Sequence, residues 1–138
     1  MSDFEWIRFY DFAVELNANS CKSGNEEAKA RTSISRAYYA AFNKSKKYII
    51  DFKSNELQSF KSKPKNQNLG SHDIYIQFLV EYLKDTSLMT IGSILKDLQI
   101  MRVEADYYSD KDIRNDTVND ALIASEDIFN EFKQLGYV

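Results

Sequence analysis

Residues 33–52 read SISRAYYAAFNKSKKYIIDF, and their spacing is that of one long helix. Apolar or small side chains recur every three or four residues, which places them on a single stripe of an α-helix. We expect this amphipathic helix to cover about residues 25–52. The residues on its stripe are Ile34, Ala37, Tyr38, Ala41, Phe42, Ser45, Tyr48, Ile49 and Phe52.

The same helical spacing recurs in the rest of the chain, whereas strand-like alternation is absent from the sequence. Only one proline and four glycines interrupt the 138 residues. Four further helices are predicted, at about residues 3–18, 72–85, 87–108 and 116–135. Together they predict a single all-α domain over residues 1–138, folded as a four- or five-helix up-and-down bundle.

Capping and loop-forming residues indicate where these helices begin and end. Ser71 is expected to cap the third helix, and Asp116 or Thr117 the last one. Gly136 is expected to end the last helix. The segment KSKPKNQNLG, residues 61–70, holds three lysines, the only proline and a closing glycine, and is predicted to be a mobile loop.

Composition excludes several classes of site. The single cysteine, Cys21, cannot form an internal disulfide, and with one histidine it cannot complete a Cys/His zinc site. No glycine-rich phosphate loop or helical metal-ligand motif occurs, so no metal or cofactor is predicted. Cys21 lies among loop formers without an obvious base. His72 follows the expected N-cap, which favours a capping-loop role over catalysis.

The sequence predicts neither a signal peptide nor a membrane-spanning helix. The first residues, MSDFEWIRF, lack a basic start followed by an apolar run. No apolar run approaches the roughly 18 residues needed to cross a bilayer. The composition, 43% hydrophobic and 28% charged, is ordinary for a soluble globular protein. We therefore expect a cytoplasmic protein.

The net charge of −3 is unevenly distributed along the chain. Residues 29–65 hold ten lysines and arginines against two acidic residues, a balance of +8. Residues 1–28, 66–100 and 101–138 are acidic, at −4, −2 and −5. The basic segment is compatible with binding a phosphate backbone, with pairing to the acidic C-terminal third, or with a solvated face.

Two helical stretches place polar side chains beside an apolar stripe. In the long helix, Arg36, Tyr39 and Asn43 lie at positions i, i+3 and i+7. In LQIMRVEADYY, Arg102 and Asp106 lie at i and i+4, a spacing at which side chains touch. On spacing alone this predicts an ion pair of about 0.3–0.5 kcal/mol. The alternative is an Arg102 guanidinium directed at a phosphate, whose oxygens match its donors.

Three strings, taken in order, resemble the HEPN-domain family. They are SRAYYAAFNKSKKYI in the long helix, GSHDIYIQFLV at the start of the next and MRVEADYY in a later one. A final helix rich in alanine and acidic residues, DALIASEDIFNEF, follows them. More narrowly, the chain is similar to small stand-alone bacterial and archaeal members that show an RAYYAxFH helix and an RxxADY motif. The similarity spans roughly residues 25–135.

The resemblance implies an all-α bundle that forms a homodimer, with a cleft at the dimer interface. In this chain the interface would use the helices that contain residues 31–43 and 95–108. Many HEPN proteins are metal-independent ribonucleases that act as toxins or defence factors. Several are paired with a nucleotidyltransferase antitoxin. RNA and a nucleotidyltransferase are therefore the partners that the resemblance implies.

The family's catalytic pattern is an arginine, four to six intervening residues and a histidine. Arg102 matches the arginine, but the later positions hold Tyr107, Tyr108 and Ser109. Asn43 stands where relatives often have a histidine. Histidine serves as general acid and base near neutral pH. Tyrosine, with a reference pKa of about 10, can donate a proton but is a poor base.

Two functional hypotheses follow from the resemblance. In the first, a toxin or defence protein cuts RNA without metal: Arg102 of two protomers steadies the phosphate, Tyr107 donates a proton, and Asp106 orients or accepts. In the second, a non-catalytic dimeric module binds a nucleotidyltransferase, a nucleotide or RNA. In paired relatives the partner can modify a motif tyrosine. The residues predicted to bind RNA or line the interface are Arg36, Tyr39, Asn43 and Tyr108.

Overall fold

A computed structural model describes residues 5–18, 26–108, 110, 113 and 115–138. Within these ranges the chain is helical and contains no strand, so the all-α prediction is confirmed. A 3₁₀ turn and a five-residue π-helical segment accompany the α-helices, at Pro64–Asn66 and Phe78–Tyr82. The α-helices are α1 (Ile7–Ala18), α2 (Glu26–Phe52), α3 (Ser54–Ser62), α4 (Asp73–Gln77), α5 (Thr86–Tyr107) and α6 (Asn115–Gln134).

Helix α2 lies at the centre of the bundle, where it packs against α1, α5 and α6. Its predicted extent agrees with the structure to within one residue. Most of the predicted stripe is buried, including Ile34, Tyr38 and Phe42, whereas Phe52 at the helix end is exposed. The 3.6-residue period therefore identified the face of α2 that the other helices cover.

Leucine, isoleucine and phenylalanine side chains of α5 and α6 complete the core around α2. Full burial of each such side chain contributes roughly 1.5–3 kcal/mol. Every described helix is either too short or too polar to form a transmembrane segment. The fully buried side chains of α5 and α6 include Leu95, Leu98, Ile91, Val118, Ile128 and Phe132.

The C-terminus of α6 forms a Schellman motif at the predicted glycine. Gly136 has φ +81°, a conformation that glycine adopts without steric cost. The Tyr137 amide donates to the Phe132 carbonyl, and the Gly136 amide to the Lys133 carbonyl, each at 2.9 Å. The rings of Tyr137 and Phe132 also pack with centroids 5.8 Å apart. The prediction that Gly136 ends the helix is confirmed.

The N-terminal end of α6 differs from its prediction. The helix begins at Asn115, so Asp116 and Thr117 lie inside its first turn and neither is the N-cap. An acidic residue in the first turn still interacts favourably with the helix dipole. Helix α5 shows side-chain capping, because the Asp85 carboxylate accepts from the Leu88 amide at 3.0 Å.

The prediction that Ser71 caps the helix at 72–85 is wrong. Helix α4 begins one residue later, after His72, and Ser71 is an exposed turn residue that precedes the cap position. The His72 side chain makes no capping hydrogen bond either. Instead, the Ile74 amide donates to the Gly70 carbonyl at 3.0 Å. The Gly70 carbonyl thus accepts from a first-turn amide that would otherwise need a side-chain cap.

Residues 61–70, predicted to form a loop, contain two helical stretches. Helix α3 continues to Ser62, and Pro64–Asn66 form a 3₁₀ turn. Proline fits the start of such a turn because no amide donor is needed there. Asn66 is buried, and its side-chain amide donates to the Phe60 carbonyl at 2.8 Å. The loop prediction is wrong for these stretches, and the mobility of the segment stays a prediction.

Gly92 allows α5 to approach the π-helical segment closely. A Cβ atom at this position would lie 2.9 Å from the Leu79 Cβ and 3.1 Å from the Val80 backbone nitrogen. We expect Gly92→Ala to lower the free energy of unfolding by about 1–3 kcal/mol, because overpacking outweighs the better helix propensity of alanine. Chemical denaturation followed by circular dichroism measures this change. Ser93→Ala, at an exposed neighbour in the same helix, should leave stability unchanged or slightly raised. An unchanged or raised stability of Gly92→Ala would contradict the close packing.

Candidate functional site

Arg102 is buried near the end of α5, where that helix packs against α2, and only 8% of the residue is exposed. Its guanidinium carbon lies 5.1 Å from the centre of the Tyr38 ring and 5.6 Å from that of Tyr39. The Tyr107 ring lies at 5.8 Å. Cation–π contacts of this kind contribute about 0.5–2 kcal/mol each when the cation is desolvated. Three rings therefore stabilise an arginine that has largely left water.

Asp106 supplies the opposite charge for Arg102. Its Oδ2 lies 3.4 Å from Arg102 Nη1, so the i, i+4 ion pair predicted from the sequence is present. The Ser35 hydroxyl of α2 donates to the same carboxylate oxygen at 3.4 Å. Burial acts to lower the pKa of Arg102, but the two α2 tyrosines and Asp106 outweigh it and raise the pKa. The guanidinium therefore keeps its charge.

One donor of Arg102 has no partner. Its Nε is buried and makes no hydrogen bond with any residue in the described part of the chain. A buried donor left unpaired costs about 1–3 kcal/mol. An oxygen atom from a ligand or from a second chain would remove this cost. The guanidinium is thus held in place by rings and a carboxylate while part of its hydrogen-bonding capacity is unused.

A groove of about 560 Å³ lies between α2 and α5 beside this cluster. Arg31, Ser35, Arg36 and Tyr39 line it from α2, and Asp106 lines it from α5. Residues at i, i+3 and i+4 share one face of a helix, which is why these α2 side chains reach the same groove. The groove therefore combines cationic, aromatic and hydroxyl groups with the carboxylate that Arg102 holds.

Arg31, which the sequence analysis did not single out, holds the C-terminal end of α5. Its Nη1 donates to the carbonyls of Glu104, Ala105 and Tyr108 at 3.2, 2.9 and 3.1 Å. Its Nη2 pairs with Glu27 at 2.9 Å. The last carbonyls of a helix lack intrahelical partners and form the negative end of its dipole. Arg31 therefore fixes the motif-bearing end of α5 against α2.

Arg36 is a cation of the groove whose charge is not balanced by a neighbouring carboxylate. Its guanidinium carbon lies 5.3 Å from the centre of the Phe9 ring of α1. Among the described residues no Asp or Glu side chain lies within ion-pair distance of it. The side chain is half-buried, so its charge is partly removed from water. Arg36 is therefore available to an anion in the groove.

The remaining predicted residues occupy different positions. Asn43 lies one turn beyond Tyr39 on α2, and its side-chain amide donates to the Tyr39 carbonyl at 2.9 Å. Tyr108 contributes its carbonyl to Arg31, while its side chain is 49% exposed. Tyr107 is 71% exposed. The predicted residues that the structure brings together are Arg102, Asp106, Tyr107, Tyr39 and, across the groove, Arg36.

The structure adds Tyr38 and His72 to this neighbourhood. The Tyr38 hydroxyl lies 2.7 Å from His72 Nδ1, and the imidazole stacks on the Phe42 ring at 4.1 Å. Burial raises the pKa of Tyr38 well above its usual value, so the hydroxyl keeps its proton in this hydrogen bond, whose direction follows the tautomer of His72. Because Tyr38 also contacts Arg102, a chain of contacts joins α5 to the start of α4. The capping-loop role predicted for His72 is not what its side chain performs.

The environment of His72 favours the neutral imidazole. Burial is the largest cause that lowers the pKa of His72, followed by the positive charge of Arg102. Asp73 opposes these effects, and Lys46 adds to them. At neutral pH the ring is therefore uncharged and carries one proton, with Nδ1 hydrogen-bonded to the Tyr38 hydroxyl.

Metal ligation is not a feature of the residues around the groove. Over the described ranges, no three or more His, Cys, Asp or Glu side chains lie together as potential ligands. The other sequence candidate, Cys21, lies outside the described residues. The chemistry available in this part of the molecule is that of charged, aromatic and hydroxyl side chains.

Because the sequence contains one histidine, the pKa of His72 can be measured directly, and it reports the effect of Arg102 on the imidazole. In a proton NMR titration we expect one imidazole resonance with a pKa below the ordinary value of 6.5. Arg102→Met should raise this pKa, because it removes a nearby positive charge. Lys96→Met, at an exposed position of α5, should leave it unchanged. A wild-type His72 pKa at or above 6.5, or the same His72 pKa in the wild type and in Arg102→Met, would contradict this arrangement.

Comparison with known proteins adds no further identification. No protein-family model, curated protein or solved structure matches the chain. The HEPN resemblance therefore stays a prediction from the order of the RAYYAAF and ADY strings. What the chain binds has to be inferred from the groove, from the buried Arg102 cluster and from the charges around them.

Proposed function

We propose that this chain is a HEPN-type protein of a toxin–antitoxin or defence system that binds RNA in the cytoplasm. The observation that carries the proposal is the groove between α2 and α5. There Arg36 and Tyr39 line the same cavity as Asp106, the carboxylate partner of buried Arg102. The order of the sequence motifs supports the same family, because the groove lies where the two motif helices meet.

Single-stranded RNA suits the groups that line the groove. The guanidinium of Arg36 is directed to no described carboxylate, and a phosphate oxygen would supply the missing charge. Tyr39 and the exposed Tyr107 offer rings on which bases stack, at about 1–3 kcal/mol per base. The volume of about 560 Å³ is sufficient for a nucleotide. Phosphate contact and stacking together give binding without a fixed base sequence.

The contacts around Arg102 favour binding of RNA over its cleavage. Cleavage needs a base for the 2′-hydroxyl and an acid for the leaving oxygen. Asp106 is already bonded to Arg102 and Ser35. His72, the one residue with a suitable ordinary pKa, has Nδ1 bonded to Tyr38 and lines a different cavity. A metal-independent ribonuclease activity therefore stays a prediction from the family resemblance.

The alternative function is a non-catalytic module that binds a nucleotidyltransferase. The observation that favours it is the exposure of Tyr107 and Tyr108 at the end of α5. An exposed tyrosine in the motif is accessible to an enzyme that transfers a nucleotide to its hydroxyl. A nucleotide adduct on either tyrosine, detected by mass spectrometry of the protein from its native cell, would favour this function over RNA binding.

We expect the purified protein to bind single-stranded RNA in the presence of EDTA. Arg36→Gln should weaken binding about tenfold, because one charge-assisted phosphate contact is lost. The slope of log affinity against log salt should become less negative by about 0.7 for the same reason. Fluorescence anisotropy of a labelled oligonucleotide at several salt concentrations measures both quantities.

The control for this experiment is Lys133→Gln, which removes one charge from an exposed position of α6 away from the groove. It should change affinity and salt slope little. Equal losses in both variants, or no RNA binding by the wild type, would contradict the proposed groove. Gel analysis of the same mixtures tests cleavage. Cleavage that is lost in Arg102→Met would extend the function to a ribonuclease, and intact RNA would restrict it to binding.

The proposed homodimer involves the exposed face of α5. Ile100 is 53% exposed and lies two turns before Tyr107 on the same face. We expect the wild type to be a dimer by sedimentation analysis and Ile100→Glu to be a monomer, because a buried carboxylate at the interface has no partner. Ile123→Glu, at a 57% exposed position of α6, should remain dimeric. A monomeric wild type, or the same response in both variants, would contradict this interface.

A further inference from the structure

A small cavity lies beside His72, whose imidazole also contacts Tyr38. Its volume is about 200 Å³, and residues of α2, the end of α3 and the start of α4 line it. It shares no lining residue with the groove between α2 and α5. Its lining includes Phe42, Lys46, Lys61, Ser71, His72 and Tyr75.

Two lysines from different helices converge on this cavity. Lys46 Nζ lies 5.5 Å from the centre of the Tyr75 ring, and Lys61 Nζ lies 5.6 Å from the same point. Within the described ranges neither ammonium group has a carboxylate at ion-pair distance. Two like charges held near one ring repel each other, and their attraction to the ring offsets only part of this cost. An anion between them would reverse the sign of the interaction.

The other polar groups of the cavity are also able to donate hydrogen bonds. The imidazole of His72, whose Nδ1 is hydrogen-bonded to the Tyr38 hydroxyl, also lines the cavity. Ser71 adds a hydroxyl group, and no carboxylate lines the cavity. Two ammonium groups and a hydroxyl together match the oxygen atoms of a phosphate. They do not match a cation.

The size and charge of the cavity favour a phosphate at the end of a molecule. Sites for drug-sized ligands have volumes of about 300–1,000 Å³, and this cavity is smaller. A continuous nucleic-acid chain would have to leave the cavity on both sides of its phosphate. A terminal phosphate carries an additional negative charge near neutral pH and needs only one exit. Both properties suit two uncompensated lysines in a small, half-open cavity.

We propose that Lys46, Lys61 and His72 form a binding site for a phosphate monoester, supplied either by a free nucleotide or by the 5′-phosphate end of an RNA. The site is separate from the proposed RNA groove and does not depend on it. Binding at the cavity would bring the ligand's negative charge next to His72, and the imidazole would report it.

The test uses the single imidazole resonance of His72 as the reporter at constant pH. We expect 5′-AMP to shift this resonance with saturation and adenosine, which lacks the phosphate, not to shift it. The double variant Lys46→Gln/Lys61→Gln should bind 5′-AMP at least about tenfold more weakly. The matched control is Lys44→Gln/Lys63→Gln. It removes the same charge from neighbouring lysines that lie over other rings, those of Tyr137 and Tyr82.

A second titration distinguishes the two sources of the phosphate. Short RNA oligonucleotides with and without a 5′-phosphate are compared with 5′-AMP in the same assay. Tighter binding of the phosphorylated oligonucleotide than of 5′-AMP assigns the site to an RNA end, and the reverse order assigns it to a free nucleotide. The proposal is overturned if neither phosphate-bearing probe shifts the resonance. It is also overturned if the Lys46/Lys61 variant and its control bind equally well.

Discussion

The burial of the Arg102 guanidinium is the constraint on which the arrangement of α2 and α5 depends. Moving a charge out of water costs several kcal/mol unless nearby groups compensate it. Asp106 compensates the Arg102 charge from the same helix, α5. The rings of Tyr38 and Tyr39 belong to α2, so their contribution requires the two helices to lie side by side in one register. Arg31 acts in the opposite direction, from α2 to the terminal carbonyls of α5. Arg102 of α5 and Arg31 of α2 therefore both hold the C-terminal end of α5 against α2.

The same interaction limits the chemistry that the motif residues can perform. Asp106 shares its charge with Arg102 and accepts from Ser35 through the same oxygen, so Oδ2 is already bonded when a ligand arrives. The ring of Tyr107 lies 5.8 Å from the Arg102 guanidinium carbon. A tyrosine ring at this distance stabilises a positive charge. These contacts are the physical basis for proposing binding in preference to cleavage.

Local patterns in the sequence were enough to predict α2, α5 and the Arg102–Asp106 pair, because each depends on spacings of three or four residues. Helix α3 was not predicted, since only Leu57 and Phe60 of its nine residues are buried and two positions do not define a stripe. The position of His72 could not be predicted from the sequence. Its hydrogen bond to Tyr38 joins residues 34 positions apart, and no local signal specifies such a contact.

The basic residues of the segment 29–65 look alike in the sequence, but in the fold they have different surroundings. The ion pairs described for this segment join Arg31 to Glu27, Lys47 to Asp51 and Lys65 to Glu81. Arg31 also contacts the C-terminal third of the chain, through backbone carbonyls. Part of the positive charge therefore stabilises the bundle itself. The charge left on Arg36 in the groove, and on Lys46 and Lys61 beside Tyr75, lies on separate cavities lined by α2. The two cavities share no lining residue, so the two proposed anion sites are distinct rather than parts of one continuous electrostatic surface.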